Sequence, residues 1–471
     1  MQDFARADRL SGTPLPDLRT RLRAHPLSAV FVLALIVRLV NIGLLEGDNA
    51  FFAEADAPVY WAAGAALAKA DGFWPTLANM TDRMPLYPLL LAAVRSIFGD
   101  APRAVALIQA TIDAGTCTLI AALGALVSPL TGLIAGIMAA LSATLIVMSS
   151  QILTDTLFLF FFTTMLLAGS YFLLRPALWL AAIAGLAGGL ALFTRSAIAL
   201  LLIAAMPLIF VVASLRWRSM TRAFVTAIVF AIAAAAPVTP VLLRNAIQYG
   251  SLSLTTQSGD HLAFWIVPLV AQRASGTPYE TSVPRMEASY RQRLAERGLN
   301  NESNPFVRAS VKIEIAREEM ARLPAAAFVK SWMEGMAMNL VAPALLADPR
   351  VRALPKPSFY NTPGTTLWER ARVYFFDHPG LYQALLAIGL ATMLPFLLLE
   401  AIGFVLLARA LPWAAAFAGG VLGYFLLLSG PVASPKYRLP MEPVLIVLAA
   451  IPLASLGERH RHTRAKRERA T

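Results

Sequence analysis

The chain has 471 residues, of which 58% are hydrophobic and only 14% charged, with a mean hydropathy of +0.63. A soluble globular protein carries about 25% charged residues, so this balance excludes an ordinary soluble domain and points to a membrane protein. The formal net charge of +12 would suit nucleic acid, but the basic residues sit at the N-terminus, in short gaps between apolar blocks and in the tail "ERHRHTRAKRER", which is the placement the positive-inside bias produces.

In chain order, a basic segment 1–26 leads into the apolar run "LSAVFVLALIVRLVNIGLL", read as an uncleaved first span because no small-residue cleavage pattern follows it. Further candidate spans cover 104–127, 131–150, 156–174, 177–193, 196–215, 223–243, 381–408, 412–429 and 441–457. With the first at 27–45, these predict about ten transmembrane helices, each near the roughly 20 residues a bilayer requires, and an all-α multi-pass fold. The module 27–243 contains a loop at 46–103, a larger helical segment follows at 244–380, and three helices occupy 381–457 before the basic tail 458–471.

Two apolar stretches, 84–99 and 325–346, are interrupted by Pro, Arg, Lys or Glu. Placing both termini in the cytoplasm and counting only the ten strong spans keeps "RWRSMTR" (216–222), "ARALPW" (408–413) and the tail on the cytoplasmic side. The segment 84–99 is therefore expected to lie in the outer interface. Loop 46–103, the turn at Asp155, "FTRS" (193–196), segment 244–380 and the turn before Lys436 then share the extracytoplasmic face.

Cys117 is the single cysteine, so no intrachain disulfide forms, and the five histidines lack zinc-ligand spacing. No metal site is assigned. No repeat, low-complexity tract or Gly-rich phosphate loop is present, which argues against a nucleotide donor.

The informative residues are the charges that survive beside apolar helices, because an Arg or Asp at mid-span costs about 2.5 to 3.5 kcal/mol. Asp48, Glu54 and Asp56 occupy the first loop, with Tyr60 four residues beyond Asp56. Asp56 precedes "APVYWAAGAALAKA" as a helix cap would, and a carboxylate there equally suits a general base taking a proton from a nucleophile at the membrane surface. Asp155 in "SSQILTDTLF" carries the same two readings. Arg83 in "TDRMPLYP", Arg195, Arg244, Lys436 and Arg438 fall at helix ends, where each would either meet lipid headgroups or turn inward to bind phosphate.

The order of these features resembles the polyprenyl-phosphate-sugar-dependent glycosyltransferases of the glycosyltransferase C superfamily, which includes the protein O-mannosyltransferases and the lipid A aminoarabinose transferase. The resemblance rests on D-x-x-x-Y (Asp56 to Tyr60), R-x-P-x-Y-P (Arg83, Tyr87, Pro88), "LTDTLF", "LFTR", "RNAIQYG" and "YRLPMEP", and runs from about residue 27 to 457. It implies that Asp56 is the catalytic acid-base residue, with Asp48 as the alternative, that Asp155 is a second acid near the site, and that Arg83 meets the carrier phosphate. Tyr60, Tyr87, Arg195, Arg244, Lys436 and Arg438 are its further substrate-binding positions. Lys436 stands where relatives often have arginine, which keeps the charge and loses the bidentate fork.

The implied activity moves a sugar from undecaprenyl phosphate to lipopolysaccharide, another glycan or a protein at the outer face of a bacterial inner membrane. No cofactor is required, and two isolated acids make only a weak case for a divalent metal. A transporter or flippase of lipid-linked substrates is the alternative, and it would place polar residues at mid-span rather than at one face.

Overall fold

The computed structural model describes residues 27–69, 71–355, 362–363, 367–377 and 379–468. The predicted segment 1–26 and the last residues of the tail lie outside them. Every regular element among the described residues is helical.

Six helices are long and apolar enough to cross a membrane, and two bent pairs, Pro129–Leu141 with Ala143–Ser149 and Met220–Ala235 with Thr239–Tyr249, bring the number to eight. Leu27–Gly43 and Leu178–Thr194 occupy the remaining two places expected from the sequence, but each has only 17 residues. The difference from ten lies in those short helices. Leu86–Phe98, at 13 residues, is about 20 Å long and falls short of the roughly 30 Å apolar slab.

The final helix, Glu442–Glu468, forms the centre of the bundle, with residues 439–451 buried. It packs against Leu381–Ala410, Pro102–Ala125 and Pro129–Leu141. Small residues permit this approach where lipid supplies no hydrophobic drive. A Cβ on Gly403 would lie 1.8 Å from the carbonyl oxygen of Leu448, so no side chain fits at that crossing.

Buried ion pairs lie inside the bundle, contrary to the expectation that charge collects at one face, and the Arg38–Asp113 pair is one of them. Arg38 Nε donates to Asp113 Oδ2 at 2.6 Å, and its other nitrogens reach Cys117 Sγ and the carbonyls of Ala34, Ala139 and Ala140. Both residues are buried. With its donors engaged by three helices, the pair acts as a strut between them.

Beyond the bundle, Gln257–Ser275, Tyr279–Glu296 and Pro305–Arg322 form a helical layer with its own small core of Ala263, Val267, Met286, Ile315 and Ala316. Arg293 and Arg297 pair with Glu314 and Glu318 across the last two helices, which explains the charged helical pattern in that segment.

Candidate active site

Asp56 is the N-cap of Ala57–Leu67, yet its carboxylate makes no capping hydrogen bond. A good cap has extended backbone so that its side chain folds over the next amides; Asp56 has φ −76° and ψ −22°, which turns the carboxylate away. It is held by cations instead. Arg83 Nη2 donates to Oδ1 at 3.0 Å and Lys436 Nζ to Oδ2 at 3.3 Å. Burial pushes this carboxyl up, but Lys436 and Arg83 together outweigh it and leave Asp56 below the usual aspartate range.

Asp155 opens the helix Asp155–Leu174, with Thr154 as its N-cap, and its buried carboxylate accepts from Arg195. The Arg195 guanidinium lies 5.6 Å from the Phe158 ring. The two acid–base sets form one cluster, because Lys436 interacts electrostatically with Asp56, Asp155 and Arg195. Tyr60 completes it. Its ring meets Tyr87 edge-on at 5.5 Å and the Arg83 guanidinium at 5.7 Å, and burial raises its hydroxyl, which stays protonated.

Backbone ties bring these distant residues together. Gln151 accepts from the Ala53 amide and donates to the Ala50 carbonyl, each at 3.1 Å, and the Ile152 amide donates to Phe51 O at 3.0 Å. The turn before Asp155 is therefore bonded to the loop before Asp56. Behind it, Gln109 donates to the carbonyls of Ser149 and Gln151 and accepts from Tyr87 Oη at 2.7 Å. Tyr87 thus supports the site from behind rather than lining it with its hydroxyl.

Three sequence candidates stand apart. Asp48, itself exposed, begins a 3-10 turn and makes no ion pair with a described residue. Arg244 uses its donors on Leu77 O and Asn245 Oδ1. Arg438 is buried between Glu400 and Glu442 and also donates to Leu340 O, so its fork is already filled. Sequence reasoning missed Arg352, which pairs with Glu54 at 2.9 Å while Glu54 also lies 3.9 Å from Lys436. It missed Gln109 and Gln151 as well; an amide inside an apolar run was the available signal.

Four cations (Arg83, Arg195, Arg352, Lys436) face four carboxylates (Glu54, Asp56, Asp155 and, at the edge, Asp82, 3.7 Å from Arg83), so the charges balance. Among the described residues no group of three or more His, Cys, Asp and Glu gathers as metal ligands do.

Fold and cluster together define an all-α multi-pass membrane protein with an acid–base site at one end of its bundle. Residues 82–243, about a third of the chain, match the family described as dolichyl-phosphate-mannose-protein mannosyltransferase. The matched region holds Arg83, Tyr87, Asp155 and Arg195, with Asp56 and Lys436 outside it. A solved structure, ArnT from Cupriavidus metallidurans bound to undecaprenyl phosphate, is similar at 14% identity and a TM-score of 0.34, over 90% of this chain and 77% of that one. No curated protein matches.

Proposed function

We propose that the protein is a membrane glycosyltransferase that moves a sugar from a polyprenyl phosphate, undecaprenyl phosphate in a bacterial inner membrane, to a hydroxyl acceptor on the extracytoplasmic face. The acceptor is a lipopolysaccharide, another glycan or a protein. The observation that carries this reading is the Asp56 carboxylate held between Arg83 and Lys436, beside the Asp155–Arg195 pair. The matching family's use of a polyprenyl-phosphate sugar supports it.

A sugar phosphodiester carries one negative charge, and the cluster offers cations to meet it. On arrival the phosphate competes with Asp56 for Arg83 and Lys436, because both are charge-assisted donors. Asp56, freed of them, becomes the stronger base. It takes the proton of the acceptor hydroxyl as that oxygen bonds to the anomeric carbon. The bond from the anomeric carbon to the phosphate oxygen breaks, through an oxocarbenium-like transition state of the kind seen in glycoside hydrolysis. The electron pair leaves on the phosphate, where Arg83, Lys436 and Arg195 meet the developing charge. No divalent metal is invoked, each carboxylate of the cluster being paired with a cation. The reaction as written needs none.

The test is sugar transfer from labelled undecaprenyl-phosphate sugars to envelope extract by protein in lipid nanodiscs. Transfer by the wild type and its loss in a folded Asp56→Asn variant are expected. Undiminished transfer by that variant sinks the base assignment.

A further inference from the structure

A cavity of about 240 Å³ lies between the helical layer and the bundle. Its walls come from Val267–Ser275 and the π-helical turn before it, from Ala325–Val341, and from the loop 431–433. Trp265 and Tyr279 supply aromatic faces, while Gln272, Arg273, Ser331 and Glu334 supply polar groups. Trp265 belongs to the π-turn Leu262–Ile266, a distortion frequently found at functional sites.

Ser331 is 3% exposed, and its hydroxyl has no hydrogen-bond partner in the protein. A buried hydroxyl without a partner costs free energy that a ligand bonded to it would recover. Arg273 and Glu334 pair with each other, so the cavity carries no net charge. Its chemistry differs from the cationic cluster at Asp56. The volume corresponds to about eight waters of bulk liquid, below the 300–1,000 Å³ of drug-sized sites.

The cavity also shares a wall with the acid–base cluster. Val432 and Ala433 line it, and Lys436 follows within the next turn. Asn339 clamps this segment, donating to Val432 O and accepting from the Ser434 amide, each at 3.0 Å. The helix and the loop touch so closely that a Cβ on Gly335 would lie 2.1 Å from the Gly430 carbonyl oxygen.

We propose that this cavity is a subsite for one uncharged, hydroxyl-rich sugar ring of the acceptor. The aromatic faces take the apolar side of the ring, and Ser331, Gln272 and the Arg273–Glu334 pair take its hydroxyls. The inference rests on the glycosyl-transfer reading for its biological sense, and the acceptor is thereby a glycan or glycoconjugate.

The test uses the full chain in lipid nanodiscs, with methyl glycosides of common hexoses and pentoses as probes, read by saturation-transfer NMR and tryptophan fluorescence. At least one glycoside is expected to bind in the millimolar range. Trp265→Ala and Ser331→Ala should each weaken it about fivefold or more, with undecaprenyl phosphate binding retained. If either variant fails to fold, Gln272→Leu, at a half-exposed position, takes its place. Lys436→Met should do the reverse, losing phosphate binding and keeping the glycoside.

The proposal is overturned if no glycoside binds, which leaves a water-filled cavity, or if the folded variants bind as the wild type does. Glycoside binding without undecaprenyl phosphate binding would instead remove the donor reading and leave the sugar subsite standing.

Discussion

Lys436 and Asp56 are 380 residues apart in the chain, and their side chains meet at 3.3 Å. Arg83 closes the other carboxylate oxygen at 3.0 Å. One acid is thereby gripped by cations from distant parts of the sequence, and in the proposed reaction the same cations meet the phosphate. If Asp56 is the base, Asp56→Asn should lower the transfer rate by about 10² to 10⁴ with the fold intact, the range for losing a general base. Asp48→Asn should leave the rate within about twofold of wild type, because an exposed carboxylate outside the cluster holds no reacting atom. Initial rates with a labelled lipid-linked donor, beside thermal unfolding of each variant, decide between them.

The charge balance fixes a pH dependence. Lys436 and Arg83 hold Asp56 below its ordinary 3.8 against the upward push of burial. A carboxyl depressed in the folded protein is ionised across the neutral range, and its contribution is lost only as pH falls through that lowered value. In the free enzyme, kcat/KM should therefore show no acid limb from Asp56 above about pH 4. Removing one cation as Arg83→Met or Lys436→Met should move the acid limb upward, because burial then acts with less opposition. An unchanged limb in both variants would dissociate the limb from Asp56.

The residues that carry charge beside an apolar helix were legible in the sequence, because lipid makes such residues costly and few. Asp56, Arg83, Asp155, Arg195 and Lys436 were found in this way and do converge. What periodicity cannot supply is direction. Lys436 and Arg438 lie two positions apart on one short helix, and side chains at that spacing do not face the same way. One turns to Asp56 and the other to Glu400 and Glu442. The helical spans were legible for the same reason of cost, whereas the two shortened helices sit at the limit of what length alone resolves. Gln109 and Gln151 escaped because their work is hydrogen bonding across 40 to 100 residues of sequence, with no local pattern.

That divergence predicts different phenotypes for neighbouring residues. Arg438→Met leaves the buried Glu400 and Glu442 without their cation, and breaking a buried ion pair costs roughly 3 to 5 kcal/mol. The variant should show a large drop in thermal stability, visible without any substrate. Lys436→Met removes a partly exposed cation from a cluster that keeps Arg83. Its thermal stability should stay near wild type while affinity for undecaprenyl phosphate falls about tenfold or more, the scale of one charge-assisted hydrogen bond. Equal stability losses in the two variants would contradict the assignment of Arg438 to the scaffold and Lys436 to the phosphate.

Gln151 offers the sharpest separation of positioning from chemistry, because it touches neither Asp56 nor Asp155. Its amide joins the Ala50 carbonyl and the Ala53 amide, which sets the loop before Asp56 against the turn before Asp155. Gln151→Leu keeps the volume and deletes both bonds, orphaning two backbone groups at roughly 1 to 3 kcal/mol each when buried. The Ile152–Phe51 bond at 3.0 Å remains, so the loop should shift rather than unfold. A shift of about 1 Å in a catalytic group can cost 10²-fold in rate. The expected result is a fall in kcat with undecaprenyl phosphate affinity nearly unchanged, since Arg83 and Lys436 keep their own anchors. Gln151→Glu, which preserves the acceptor for the Ala53 amide and loses the donor to Ala50, should fall between the two. A fall in phosphate affinity equal to the fall in kcat would show that the loop carries the cations with it, and that Gln151 positions the phosphate site as a whole rather than the acid alone.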